Sequence, residues 1–513
     1  MPDRDLDHSR LLDVHRWSDY PEVDEWVDKF WHQYLTEYFP DTDGVGRKPK
    51  QTPRNMFKVL FLDLYVAWLD DPALCLGVSR TASHYVTGSR YNALHISDKL
   101  ITVMDALLEK RFIEQHKGSE IAGRVTRIWP TDCLITYFKK AAFSEFMIGT
   151  YEGRETVILN SKEVRAEEDF ENSVQLKVAK PIEYDDEDDA RILPTRELLR
   201  RYNQLLANTH IDLGCQQKPE VVGEQYNRAT RGYETRTVSL SQRNKFVRRV
   251  FYRGDWNLGG RYHGGWWQQI GGGLRRHILI NGERTYEVDF SGFHVALAYA
   301  QEGRFPPKDS YTLPEVTAGF SKEKQRDDVK LLVLTALNAD SEKAAFKAFR
   351  DQRNKDQRAT EPDQKIRYTD ALLKGWLEQY MELHRDIRSY LCSDKGVELM
   401  ALDGNITTRI IKHFTDRHEP ILTVHDSYIV RFGQEEEVSK AMLEAVKQEV
   451  RMEGFGLKRP LQGEIRRIET FQAMDSLWNH RADYQLLSKP LKITEGYKAR
   501  LERFTRFRQE YPV

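Results

Sequence analysis

Apolar residues recur at helical spacing through RNMFKVLFLDLYVAWLDD, where Phe57, Val59, Leu60, Leu62, Leu64 and Trp68 predict a buried helix. A second helix is predicted after Ser97, a fitting N-cap, along DKLITVMDALLEKRF, with Leu100, Val103, Met104, Leu107 and Leu108 as its inner stripe. Two short strand-like runs follow, FIEQHKG and RVTRIWPT, joined by SEIAG. Helix, helix, then a hairpin with Lys117, Arg124 and Arg127 on its arms is the order of a winged helix, whose wing reaches phosphates. Any small α+β domain with a solvated hairpin gives the same order.

From about residue 195 to 250 the pattern predicts basic helices ending in RNKFVRRVFYRG. There Arg243, Lys245, Arg248, Arg249 and Arg253 alternate with Phe246, Val247, Phe251 and Tyr252. Cations mixed with flat side chains suit a groove that follows a nucleic-acid backbone, and the charged face of an amphipathic helix reads alike. The acidic run Asp185 to Asp189 predicts an exposed linker before the helix. The glycine-rich passage DWNLGGRYHGGWWQQIGGG has neither P-loop spacing nor a βαβ setting, which excludes both a P-loop and a dinucleotide fold.

Farther on, TYEVDFSGFHVALAYA changes from strand to helical periodicity just after Asp289, and PILTVHDSYIVRF predicts two apolar strands with Asp426 in the turn between them. A carboxylate at the tip of a buried strand is costly unless it is paired or ligates a cation. Two of them converging on one edge suit a pair of Mg²⁺ ions, or Mn²⁺ in their place. Between them, SKEKQRDDVKLLVLTALNA sets Arg326 and Lys330 one turn apart, with Leu334 and Asn338 continuing that face. Phosphates on the cations and a base farther along would fit a nucleoside triphosphate.

Bulk properties neither add nor remove a function class, because 40% hydrophobic residues, 31% charged residues and a net charge of -1 describe an ordinary folded chain. Cys75, Cys133, Cys215 and Cys392 lie too far apart for a disulfide framework or a structural zinc site. The polar N-terminus is no signal peptide and no apolar run is long enough to span a membrane, so a cytoplasmic protein without a membrane partner is expected.

Read together, the motifs resemble those of family A nucleic-acid polymerases, including the single-subunit phage and mitochondrial RNA polymerases. Asp289-Phe290-Ser291-Gly292-Phe293-His294 looks like motif A, DYSxxE, and Arg326-xxx-Lys330 resembles motif B, RxxxKxxx(F/Y)xxxYG. Val424-His425-Asp426-Ser427 is similar to motif C, VHDE in the DNA enzymes and HDS in the RNA enzymes. Gly260-Arg261 stands where the group has a template- or primer-contacting GR motif, and ELMALDGNITTRIIKHF fills the usual place before motif C. The likeness covers roughly residues 250 to 435.

By that resemblance the fold is α+β: a right-hand polymerase with an antiparallel palm sheet, helical fingers and thumb, after an N-terminal winged-helix-like domain. The expected division is 1–150 for the DNA-binding domain, 151–250 for a linker and thumb, 251–300 and 391–513 for the palm, and 301–390 for the fingers. Asp289 and Asp426 would hold the metal, Arg326 and Lys330 the triphosphate, with His294, Leu334 and Asn338 also facing the nucleotide. Gly260, Arg261 and His425 would meet template or primer, joined by Lys117, Arg124, Arg127, Arg248 and Arg249.

Three positions depart from the family pattern. His294 replaces the glutamate that screens the sugar 2′ position, Leu334 replaces the stacking aromatic, and Asn338-Ala339 replaces Tyr-Gly. The N-terminal half carries no proofreading exonuclease signature. The expected activity is DNA-directed DNA synthesis from dNTPs on a primed template. The alternatives are RNA synthesis or priming from NTPs, supported by Ser427, and a non-catalytic DNA-binding replication initiator. A metal-dependent nuclease would need further acids, for which Glu287 and Asp403 are the candidates.

Overall fold

A computed structural model describes residues 4–39, 52–118, 125–162, 164–165, 177–185, 192–227, 232–290, 292–304, 306–307, 309–357, 365–451, 478–479 and 492–512. The chain is α+β. It forms two compact units, one of Met1–Arg248, His263–Thr285 and Lys489–Val513, the other of Arg249–Tyr262 and Tyr286–Ser488.

The first unit is organised around the helix Pro53–Asp70, buried on nearly every face because its sequence is apolar all round. Thr52 starts it by accepting from the Asn55 amide at 3.2 Å, with Pro53 in the first turn, where a missing N–H costs nothing. Its Phe57 and Phe61 interlock with Trp26 and Phe30 at centroid distances of 4.7–5.4 Å. The second helix runs Lys99–Glu109, and Ser97 Oγ accepts from the Lys99 amide at 3.2 Å.

The expected hairpin is present as Ile113–His116 and Thr126–Pro130, paired from His116↔Arg127 to Ile113↔Pro130. It belongs to a four-stranded sheet, in the order Ser9–Leu11, Cys75–Val78, Thr126–Pro130, Ile113–His116. The first pair is parallel and the other two are antiparallel.

The basic stretch before residue 250 is a correction. Only Ile192–Ala207 is helical, and strands follow at Ile211–Leu213, Glu220–Asn227, Gly232–Ser239 and Val247–Tyr252. Val247, Val250, Phe251 and Tyr252 favour a pleated surface, while Gly214, Pro219 and Gly232 break helical continuity. The acids Asp186 to Asp189 lie outside the described residues.

The second unit takes the end of the strand Glu283–Phe290 and sets it beside Ser427–Arg431, which pairs in turn with Leu422–Val424. The helix Gly396–Thr415 packs on Glu435–Arg451 and Phe293–Gln301, and Lys322–Leu337 packs on Glu342–Asp356 and Asp370–Leu383. Among the described residues no helix is long and apolar enough to cross a membrane.

Charge is buried in the first unit as well as apolar surface. Asp63 is fully buried and accepts from Arg10 at 2.7 and 2.8 Å, from Arg16 Nε at 3.1 Å and from the Asp13 amide at 2.8 Å. Removing the acid leaves Arg10 without its carboxylate and buried Arg16 with Asp13 at 3.4 Å. Asp63→Ala is therefore expected to lower the folding free energy by about 3–5 kcal/mol, measured by chemical denaturation; a loss below about 1 kcal/mol would show that the cluster is dispensable.

Candidate functional site

The strand Glu283–Phe290 ends one residue past Asp289, and the turn His425–Asp426 joins Leu422–Val424 to Ser427–Arg431. The Phe290 amide donates to the Asp426 carbonyl at 3.4 Å, so the two acids occupy neighbouring backbone positions at one sheet edge. A side-chain bond ties the same strands, Ser427 Oγ donating to Glu287 Oε1 at 2.8 Å. Two left-handed residues shape the ends of these strands. Gly292, at φ 61°, turns the chain from strand into the helix Phe293–Gln301. His425 adopts φ 57° with a side chain, which costs about 1 kcal/mol or more and is typical of a constrained functional turn.

Behind Asp426 lies a third acid. Asp403, on the helix Gly396–Thr415, is buried and accepts from Arg261 Nε at 2.7 Å. Arg261 also donates to His294 Nε2 at 2.6 Å, which leaves that nitrogen an acceptor and its 3.7 Å approach to Asp403 a contact rather than a hydrogen bond. Burial disfavours the Asp403 anion, but the Arg261 charge and hydrogen bond outweigh it and hold the carboxyl below its usual range. Burial, and next the Asp403 charge, push Asp426 the other way, above its usual value.

Close backbone approach builds this group. A Cβ on Gly404 would lie 2.0 Å from the Gly260 carbonyl oxygen, so only glycine lets the Arg261 strand meet the Asp403 helix here. Arg249 clamps the contact, donating to Gly260 O at 2.8 Å and Asn405 Oδ1 at 2.6 Å. Arg249 is buried, so its guanidinium is engaged inside the unit rather than along an open groove.

The helix Lys322–Leu337 starts at Ser321, whose hydroxyl accepts from the Lys324 amide at 3.1 Å. Asp309 takes Arg326 Nε at 3.0 and 3.2 Å, the Tyr311 amide at 3.0 Å and the Thr312 hydroxyl at 2.5 Å. Burial opposes this anion, but Thr312 and Arg326 bring Asp309 to about 2. Lys330, half-buried on the Arg326 face, has no ion-pair partner among the described residues. Leu334 is half-buried, and exposed Asn338 turns back to its own helix, donating to Leu334 O at 2.7 Å.

Sequence reasoning passed over Tyr311. Its ring is buried, the Arg326 guanidinium lies 5.9 Å from the ring centre, and a Cβ on Gly292 would sit 3.1 Å from its hydroxyl. That hydroxyl has no hydrogen-bond partner among the described residues. Burial, and then the nearby Asp426 charge, raise its pKa. No spacing or composition signal marks this residue, because the turn that carries it forms no regular element.

The remaining cations are scattered. Lys117 is exposed, Arg124 lies outside the described residues, and Arg127 donates to Leu6 O at 3.1 Å and Val125 O at 2.7 Å. Arg248 is exposed in the first unit.

The donor set fits a hard divalent cation. Asp403 Oδ1 is buried without a partner, and Asp426 is destabilised as an anion by its surroundings. Both conditions are relieved by a cation with oxygen ligands. Among the described residues no three His, Cys, Asp or Glu side chains form a ready-made metal cage. Compared with known proteins, the chain matches no protein-family model and no curated protein.

The Asp426 shift has a measurable sign. A folded pKa above the unfolded value means that the native state holds the proton more tightly, so this contribution is full in acid and fades as pH rises through the raised value. Asp426→Asn should raise metal-free stability at neutral pH by about 0.5–2 kcal/mol and flatten the decline with pH. Thermal unfolding in EDTA between pH 4 and 8 measures both, and destabilisation at neutral pH would contradict the electrostatics.

Proposed function

We propose that the chain is a template-directed nucleotidyltransferase, a DNA polymerase of the family A type acting on primed DNA with dNTPs. The single observation that carries this reading is the backbone hydrogen bond from Phe290 to Asp426. It joins two strand ends whose acids match motifs A and C, far apart in the sequence and adjacent at one edge. The N-terminal hairpin with exposed Lys117, and Arg248, are the surfaces through which we expect DNA to be held.

Asp289 and Asp426 would hold divalent cations, which would supply the activation of the attacking hydroxyl and the neutralisation of the leaving group that nucleotidyl transfer requires. The chain's own residues do the rest. Asp289 and Asp426 present oxygen ligands while leaving positions for water and phosphate, the usual way Mg²⁺ is held. Lys330, without an ion-pair partner among the described residues, meets the triphosphate as a point charge, and Arg326 exchanges Asp309 for a phosphate that it can bind bidentately. Tyr311, close to both Arg326 and Asp426, donates its orphan hydroxyl to a phosphate oxygen between them. The primer 3′-hydroxyl then attacks the α-phosphorus and pyrophosphate leaves.

His294 governs the sugar in this reading. Arg261 fixes its ring at Nε2, so a rigid imidazole stands where the family places a glutamate, crowding a ribose 2′-hydroxyl and favouring dNTPs. One feature favours the alternative of RNA synthesis: Ser427, the residue of the RNA-enzyme form of motif C, is held between Glu287 and the Val424 carbonyl.

Primer extension with Mg²⁺, run once with dNTPs and once with NTPs, is the direct test. Incorporation of dNTPs is expected, with Asp289→Ala and Asp426→Ala each removing it while DNA binding persists. No incorporation with either nucleotide set would leave the non-catalytic initiator standing. Tyr311→Phe should raise the KM for dNTP by about tenfold or more, as loss of a hydrogen bond to a charged group implies. Its unfolding temperature should not fall, since the hydroxyl has no partner to lose. An unchanged KM would remove Tyr311 from the phosphate path.

A further inference from the structure

A cavity of about 560 Å³ opens within the first unit, a size suited to a small organic ligand. The segment 146–156, the helix Ile192–Ala207, residues 242–246 and the helix Glu495–Glu510 supply most of its wall. Arg200, Arg201, Arg243, Lys245 and Arg508 line it, against two carboxylates, Glu152 and Glu197, both exposed. Arg243 is balanced by Asp70 at 2.6 Å and Glu145 at 3.5 Å.

Lys245 is not balanced. It is buried, and its ammonium donates only to neutral oxygens: Thr209 O at 2.6 Å, Gln242 Oε1 at 3.1 Å and Ala207 O at 3.2 Å. Three acceptors satisfy three N–H donors, so the group can keep its proton, but no counter-charge accompanies it. Burial first, then Arg243 and Arg508, pull its pKa well below the usual ammonium value. Neither Lys245 nor Arg508 has a carboxylate partner among the described residues.

Two further donors in the same wall lack acceptors. Thr156 Oγ1 and Arg243 Nε are both buried with no hydrogen-bond partner among the described residues. Orphan donors beside unneutralised cations call for an oxygen-rich anion. Phe246, Phe504 and Phe507 line the same space with flat apolar surface, the platform on which a planar ring stacks.

We propose that this cavity binds a phosphomonoester of a sugar that also carries a planar base, the chemistry of a nucleoside 5′-monophosphate, either free or as the 5′-phosphorylated end of a nucleic-acid strand. The site is independent of the two-carboxylate edge and does not rest on the polymerase reading.

The full chain is to be dialysed to equilibrium against labelled adenosine 5′-monophosphate in EDTA, so that no divalent cation supports phosphate binding at Asp289 and Asp426. One nucleotide per chain is expected, with unlabelled adenosine failing to compete. Thr156→Val keeps the side-chain shape and removes an orphan hydroxyl, so its unfolding temperature should hold or rise while affinity falls about tenfold. Arg508→Glu should abolish binding by reversing a charge that has no carboxylate partner among the described residues. A 5′-phosphorylated trinucleotide that displaces the label, where its 5′-hydroxyl counterpart does not, identifies a strand end as the ligand; displacement by neither identifies the free nucleotide. Three results would overturn the proposal: no binding at millimolar nucleotide, equal competition by adenosine or the 5′-hydroxyl trinucleotide, or wild-type affinity in both variants.

Discussion

Gathering ionised carboxylates at one edge of a half-dry sheet opposes folding, and the second unit is arranged around that opposition. The Phe290–Asp426 backbone bond fixes the edge, and the residues behind it determine how much charge the edge can bear. Arg261 neutralises Asp403, which leaves Asp426 as the anion with the weakest local support. This distribution separates two roles that three similar acids would otherwise blur. Asp403 is a structural counter-ion to Arg261, while burial and the Asp403 charge leave Asp426 disfavoured as an anion.

A second arrangement faces it from the helix Lys322–Leu337. Arg326 is already occupied by Asp309, and the same acid collects the Tyr311 amide and the Thr312 hydroxyl. A short turn therefore holds one cation in an ion pair and positions a phenol near Asp426, while Lys330 has no ion-pair partner among the described residues.

Much of this was legible in the residues, for a physical reason. Strand-to-helix and strand-turn-strand changes of period at Asp289 and Asp426 are local, and the observed elements begin and end within a residue or two of those expected. The helix carrying Arg326 and Lys330 is present where the four-residue spacing of Arg326, Lys330, Leu334 and Asn338 predicts it. Asp403 was visible only as an acid, because its pairing with Arg261 joins residues 142 positions apart. Tyr311 gave no sign at all, since irregular turns leave no periodicity. Before residue 250 two signals conflict: the cation spacing predicts a helical face, whereas Val247, Val250 and Phe251 prefer the pleat, and the pleat prevails.

The Gly260–Gly404 contact has a wider consequence. Where two main chains touch with no side chain between them, their separation is set by the van der Waals contact of backbone atoms rather than by the volume of whichever apolar residues happen to fill a gap. Arg261 and Asp403 sit next to this fixed spacing, so the distance between them inherits a ruler made of peptide. Drift in the surrounding apolar residues can then proceed over generations without detuning the charge pair, whereas the first methyl group to appear at Gly404 would break the gauge.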